Sequence, residues 1–310
     1  MTPEAIPVLK QHLVEQLSRP LTEAERLFHG RGRCWSGLEQ ITVDWLSGQC
    51  LVSLFKMPTE VFTEALITML NQLVETPQWQ AQNASGLLLQ YRDQPGSPTD
   101  VIWGELASSH LIKESGLTYQ LDLGRNQNNG LFLDMRNGRD WVKARSAGKR
   151  VLNLFAYTCG FSVAAIEGGA DLVVNIDMAK ASLSRGRDNH RHNNHDLSKV
   201  KFLGHDILKS FGKIKKSGPY DLIVIDPPTF QKGSFALTKD YQKILRRLPD
   251  LLVTGGEVLA CVNDPHLSAD FLIEEMAREV PSMVFQHRLD NPDAFKDIDE
   301  QGGLKALVFQ

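Results

Sequence analysis

Val151-Leu152-Asn153-Leu154-Phe155-Ala156-Tyr157-Thr158-Cys159-Gly160-Phe161-Ser162 runs from a stretch of strand formers into a small-residue turn. The turn opens directly onto the helical spacing of Val163 to Ile166. Strand, tight loop and helix N-terminus in that order predict the first unit of an open α/β sheet. Such a loop lies outside the carboxyl end of its strand, where backbone N–H groups can be approached by a bound molecule. Further strands read at Leu172–Ile176, Val200–Leu203, Leu222–Ile225 and Val258–Val262, with helical segments between them. Alternation of this kind predicts a mostly parallel sheet covered on both faces.

The chain before this region reads differently. Helical spacing at Pro7–Ser18 is followed by Arg26-Leu27-Phe28-His29-Gly30-Arg31-Gly32-Arg33-Cys34-Trp35. That segment is either a surface loop at a helix end or a phosphate-contacting loop, with arginine charge and Trp35 as a stacking face. Ile41–Trp45 and Cys50–Lys56 form a hairpin around Ser47-Gly48-Gln49, then a helix spans Glu60–Leu73, and strands follow at Gly86–Arg92 and Val101–Glu105. Residues 1–109 therefore read as a small α+β domain without a catalytic constellation, open to an RNA- or substrate-binding role. Residues 110–310 read as the α/β domain, entered through a second hairpin at Leu111–Glu114 and Leu117–Leu123.

With 310 residues the chain has room for two domains, and 42% hydrophobic with 23% charged residues is an ordinary globular proportion. Apolar runs are too short to span a membrane, and Met1–Pro20 carries charges where a signal peptide needs an apolar centre, so a cytoplasmic protein is expected. Cys34, Cys50, Cys159 and Cys261 form no C-x-x-C pair, which argues against a disulfide framework or zinc site. A net charge of −3 argues against a structural nucleic-acid binder but leaves room for an enzyme with a local basic patch. Oligomeric state is open, a homodimer being one option.

Three signals fall at successive strand ends. The loop at Gly160 lacks a G-x-G-x-x-G pattern, which disfavours a dinucleotide; S-adenosylmethionine, having no phosphate, does not need those glycines. Asp177 closes the second strand, where a carboxylate can accept from ribose hydroxyls or cap a helix. Asp206, after the third strand, is an adenine amino-group acceptor or a cap. Asp226-Pro227-Pro228-Thr229-Phe230 closes the fourth. Its prolines cannot donate, so the Asp226 and Pro227 carbonyls can be left as acceptors, and Phe230 can lie against a base.

These motifs, joined by Asn128-Asn129-Gly130-Leu131-Phe132-Leu133-Asp134-Met135-Arg136, resemble the class I S-adenosylmethionine-dependent methyltransferases of large-subunit ribosomal RNA. The likeness covers Leu111 to Gln310 and is strongest to the branch with cytosine-C5 and guanine-N7 enzymes. It implies a Rossmann-like sheet whose Phe155, Tyr157 and Gly160 line the cofactor, with Asp177 on its ribose and Asp206 on its adenine. Asp134 and Arg136 would lie near its methionine end, and Phe132, Asn153, Met178 and Ile207 complete the cofactor set. Asp226, Pro227, Pro228 and Phe230 would stand at methyl transfer. The first domain is similar to the small α+β domain of the cytosine-C5 members, in which a PUA or THUMP module usually comes earlier; no counterpart is expected here.

Cytosine-C5 chemistry needs a thiolate on C6. The resemblance places Asn263 where that cysteine stands, and Cys261, two residues earlier in an apolar strand, reads as buried and inert. Guanine N7 has its own lone pair and needs only alignment, so a nitrogen acceptor is expected, with Asn263 beside Asp226. The expectation is methyl transfer to a base in RNA, ribosomal RNA foremost. The alternatives are a small-molecule or protein methyltransferase, or a non-catalytic RNA-binding factor. His190-Arg191-His192-Asn193-Asn194-His195 lacks the partners of a zinc set and reads as a solvated, cation-rich helix end. Lys239, Lys243, Arg246 and Arg247 are the candidate RNA patch.

Overall fold

The computed structural model describes residues 1–231 and 233–310. The chain divides into one unit made of Met1–Leu133 with Pro292–Glu300 and another made of Asp134–Asn291 with Gln301–Gln310. The boundary expected after residue 109 falls inside the first unit, because the hairpin β6 (Ser109–Glu114) and β7 (Leu117–Asp122) is bonded into it. The ring Nε2 of His110 lies 2.7 Å from the Leu46 carbonyl, and the Ala24 N–H donates to the Lys113 carbonyl over 2.7 Å.

In the first unit, β1 (Glu25–His29), β2 (Ile41–Leu46), β3 (Gln49–Leu54), β4 (Gly86–Tyr91) and β5 (Thr99–Gly104) lie in that order. Neighbours are antiparallel except β3 and β4. A parallel pair needs a crossover, and the helix Glu60–Val74 supplies it. Thr59 caps this helix at the Phe62 N–H, and its stripe Phe62, Leu66, Leu70 and Leu73 packs with Leu9 and Leu13 of the helix Ile6–Gln16 over Trp45 and Trp79. The β2–β3 hairpin turns on Ser47 and Gly48, both at positive φ (50° and 103°), as a two-residue turn requires. β1 occupies what reads as a loop in the sequence. A register shift between Arg26 and Phe28 breaks its alternation, and with it the period-two signal.

The second unit holds a seven-stranded sheet built from β8 (Arg150–Leu154), β9 (Leu172–Ile176), β10 (Val200–Leu203), β11 (Tyr220–Ile225), β14 (Leu252–Val262), β15 (Phe285–Leu289) and β16 (Lys305–Phe309). Its order is β10-β9-β8-β11-β14-β16-β15, the first five parallel, with β16 antiparallel to both of its neighbours. A small hairpin, β12 (Phe230–Gln231) with β13 (Phe235–Ala236), follows β11. Strand alternation sorts the core: Leu152, Leu154, Ile223 and Ile225 face one layer, and Val151, Leu222 and Val224 the other. The mostly parallel, Rossmann-like α/β sheet is thus as expected, while β15 and β16 are additions. Because the five parallel strands point one way, the residues after them share one edge of the sheet.

Candidate functional site

At this edge the loop after β8 winds through Phe155 (φ 57°), Tyr157 (φ 46°) and Cys159 (φ 63°), three non-glycine residues in the left-handed region. Backbone strain of this kind persists only where surroundings enforce it. The Asp177 carboxylate enforces it here: its Oδ2 accepts from the Tyr157 N–H at 2.9 Å and its Oδ1 from the Ala179 N–H at 2.8 Å. From beneath, Asn189 Nδ2 donates to the Thr158 carbonyl over 3.0 Å. Gly186 lets its helix approach so closely that a Cβ there would lie 2.3 Å from Cys159 Sγ. Gly160 begins the following helix, Gly160–Glu167, with Cys159 as its cap.

Asp177 is not the helix cap that its position allows; Ala179 takes that place. Its bond to Ala179 N is an Asx turn, and Asp206 repeats the device after β10, its Oδ1 accepting from the Leu208 N–H at 3.0 Å. Lys209 Nζ lies 3.2 Å from the other Asp206 oxygen. Each carboxylate oxygen can accept more than one bond, so both groups keep acceptor capacity toward the cleft. That cleft is small, about 10 Å³, and is lined among others by Phe155, Asp177, Met178, Asp206, Ile207 and Phe235. Phe155 and Phe235 meet edge to face at 4.8 Å, which brings the β12–β13 hairpin against the β8 tip. Met178 is 44% exposed and Ile207 buried.

Asp226 is not part of this cleft's lining; β8, whose tip carries Phe155, separates β9 from β11. Burial first, then the Asp134 carboxylate, raise the Asp226 carboxyl to about 7, while Arg139 opposes them. Neither the Asp226 nor the Pro227 carbonyl accepts a hydrogen bond among the described residues. Pro227 is buried, Pro228 exposed, and Phe230 exposed by 67%. Asn263 is exposed at the tip of β14, its carbonyl 3.4 Å from Thr229 Oγ1. Cys261 is fully buried, with its thiol raised well above the ordinary value by desolvation. Asp134 and Arg136 flank the start of the helix Arg136–Arg145, and Phe132 is exposed at the end of the first unit.

Asn153 faces inward rather than into the cleft. Its Nδ2 donates to Asn175 Oδ1 at 2.9 Å, Asn175 donates to Ser162 Oγ at 2.9 Å, and Ser162 shares a 2.9 Å bond with His190 Nε2. His190 in turn meets His195 at 3.0 Å, and His195 meets Glu167 at 3.3 Å. The histidine run is therefore a solvated helix end only in part: Arg191 and His192 are exposed, whereas His190 is fully buried and held neutral by desolvation. The expected basic patch is also partly discharged, since Lys243 pairs with Asp240 at 2.7 Å and Arg246 with Glu279. Two contributors escaped the sequence reading. Arg139, only 4% exposed, looks like a surface cation on a charged helix; Phe235 lies in a hairpin too short to leave a periodic signal.

The family model for S-adenosylmethionine-dependent methyltransferases matches residues 25–310. A ribosomal RNA large subunit methyltransferase I from Aeromonas salmonicida is 32% identical over 232 residues, 72% of this chain and 57% of that protein. Its namesake from Escherichia coli O139:H28 is 31% identical over 228 residues, 72% of this chain and 57% of that one. The chain thus spans under two thirds of the length of these relatives. A candidate S-adenosylmethionine-dependent methyltransferase from Streptococcus mutans superposes with a TM-score of 0.85 at 24% identity, over 98% of this chain and 81% of that one. SMU.776, a candidate methyltransferase solved with SAH, gives the same figures. At that identity the likeness concerns the fold.

Proposed function

The chain belongs to the S-adenosylmethionine-dependent methyltransferase family, and from that premise we propose that it methylates a base in RNA, ribosomal RNA foremost, at a ring nitrogen such as guanine N7. The observation that carries this reading is the edge of the parallel sheet. Two Asx-turn carboxylates with spare acceptors stand beside an apolar cleft, and a proline-stiffened carboxyl with an exposed aromatic closes a nearby strand.

The residues fit the cofactor. Asp177 would accept from its ribose hydroxyls and Asp206 from its adenine amine. Phe155, Ile207 and Met178 would pack on its adenine ring, and Tyr157 and Gly160 would supply loop backbone to it. Asp134 and Arg136 would hold its methionine end, and Asn153 would support the loop from below. When bound, the cofactor supplies an electrophilic methyl group. Asp226 and the free carbonyls of Asp226 and Pro227 would hold the exocyclic amine of a base, with Phe230 on its face and Asn263 nearby. A nitrogen acceptor needs alignment rather than covalent help. The burial of Cys261 and the exposed amide of Asn263 favour that over C5 chemistry.

The test is transfer of labelled methyl from S-adenosylmethionine to total ribosomal RNA. RNase-sensitive label, lost at least about 100-fold in Asp226→Ala, is expected for a residue that positions the base. Label in protein or small molecules alone would overturn the RNA assignment.

A further inference from the structure

In the first unit, β3 and β4 end side by side, Leu54 opposite Tyr91, so the residues that follow, Phe55 and Arg92, emerge together. The turn Gly30–Gly32 after β1 adds Arg31. The guanidinium carbons of Arg31 and Arg92 lie 4.3 and 4.7 Å from the centroid of the same Phe55 ring. Desolvation first, and then the charge of Arg26, weaken the hold of both on their protons.

The carboxylate that faces Arg26 and Arg92 is committed. Asp44 takes Arg26 at both oxygens, Nε at 2.6 Å and Nη2 at 3.1 Å. Arg92 reaches only neutral acceptors, the Gln127 carbonyl at 2.5 Å and Asn128 Oδ1 at 3.2 Å, and its Nε is buried with no partner among the described residues. Arg31 is exposed, with no hydrogen bond or ion pair among the described residues. Its neighbour Arg33, by contrast, is neutralised by Asp297 at 2.9 Å. Trp35, the expected stacking face of this segment, packs on His12 and Phe28 at 4.9 and 5.4 Å. The free aromatic contact belongs to Phe55.

Like charges gathered on one ring, with the exposed Arg31 fork unengaged, are a cost that an anion removes. Guanidinium forks suit the oxygens of a phosphodiester, and an aromatic platform suits a nucleic acid. We propose that Arg31 and Arg92, held on Phe55, form a phosphodiester-binding site through which the first unit engages the RNA backbone. This rests on RNA being the substrate.

The experiment is fluorescence anisotropy of the full chain with a labelled oligouridylate over a salt series, with cofactor binding followed separately by calorimetry. Each lost phosphate contact lowers the slope of log K against log salt by about 0.7, equivalent to about fivefold in affinity at 0.1 M salt. Arg31→Gln, at an exposed position, is expected to show that loss, Arg31→Lys to keep most of the slope, and Arg31→Gln with Arg92→Gln to lose about twice as much. Lys10→Gln, elsewhere on the same unit, serves as control and leaves the slope unchanged. A slope unaltered by Arg31→Gln while wild type binds RNA overturns this site alone. No RNA binding by a chain that still binds S-adenosylmethionine overturns the substrate reading as well. Equal capture of polyglutamate, with the same loss in Arg31→Gln, would assign the cluster to an acidic polypeptide and overturn the RNA assignment.

Discussion

Desolvation and Asp134 together take the Asp226 carboxyl from 3.8 to about 7, against the pull of Arg139. The neutral form is thus favoured in the folded protein, whereas an unfolded carboxyl ionises near pH 4. The stability that this group contributes therefore falls as pH rises from about 4 to about 7, by up to about 4 kcal/mol, and is level above. Asp226→Asn removes this loss, and its unfolding midpoint in urea is expected to exceed wild type at pH 8 and to match it near pH 4. Activity should move the opposite way. The ionised carboxylate accepts from an exocyclic amine, so wild-type kcat/KM for RNA rises through about pH 7, and the Asn variant loses that limb along with most of its rate. Equal midpoints at both pH values would remove the buried charge from the account. An exposed Cys261 would have argued for covalent chemistry; its burial is consistent with the positioning roles proposed for Asp226 and Asn263.

Between β8, β9 and the two helices that follow them, the chain Asn153–Asn175–Ser162–His190–His195 ties the elements beneath the loop after β8. A buried polar chain fixes geometry only while it is neutral and satisfied. His190 is pushed down to about 3, first by desolvation and then by His195. A histidine lowered in the fold contributes stability that is present above the unfolded value near 6.5 and lost progressively below it, as the unfolded ring takes up a proton. The stability advantage of the wild type over His190→Gln is expected to shrink from pH 6.5 toward pH 4, as read by urea unfolding of both at each pH. An advantage that stays constant with pH would mean that His190 does not carry this pH dependence. Periodicity does not disclose such a network: Asn153 and Asn175 sit inside apolar runs, and the partner of each comes from another element.

Across the molecule, legibility follows burial. β8 and β11 are apolar on both faces because helices cover both, so Val151–Leu154 and Leu222–Ile225 announce a parallel sheet without structural help. β15 is an edge strand with Phe285, Gln286 and His287 exposed, and it leaves no alternation to read. β16 opens on Lys305, a residue type that suggests surface; here it is fully buried, with its ammonium on the Asp264 and Gln301 carbonyls at 2.6 and 2.8 Å. Pro292–Glu300, from the connection between those two strands, belongs to the first unit, where the Ile298 N–H donates to the Gly32 carbonyl at 2.9 Å. Such distant return of chain has no local signature. The acidic strand ends and the Asp-Pro-Pro turn were legible because their chemistry is local. Arg139 and Phe235, whose meaning comes from what they face, were not.

The measurement closest to the central claim is calorimetric titration of S-adenosylmethionine into the purified chain and into Asp177→Ala, with folding of both checked by thermal melts. Saturable binding by the wild type, weakened about 10- to 100-fold in the variant by loss of charge-assisted bonds to the ribose, is the predicted result. A folded wild type that gives no saturable heat, or a variant that binds as tightly, would contradict the assignment of this sheet edge to the cofactor.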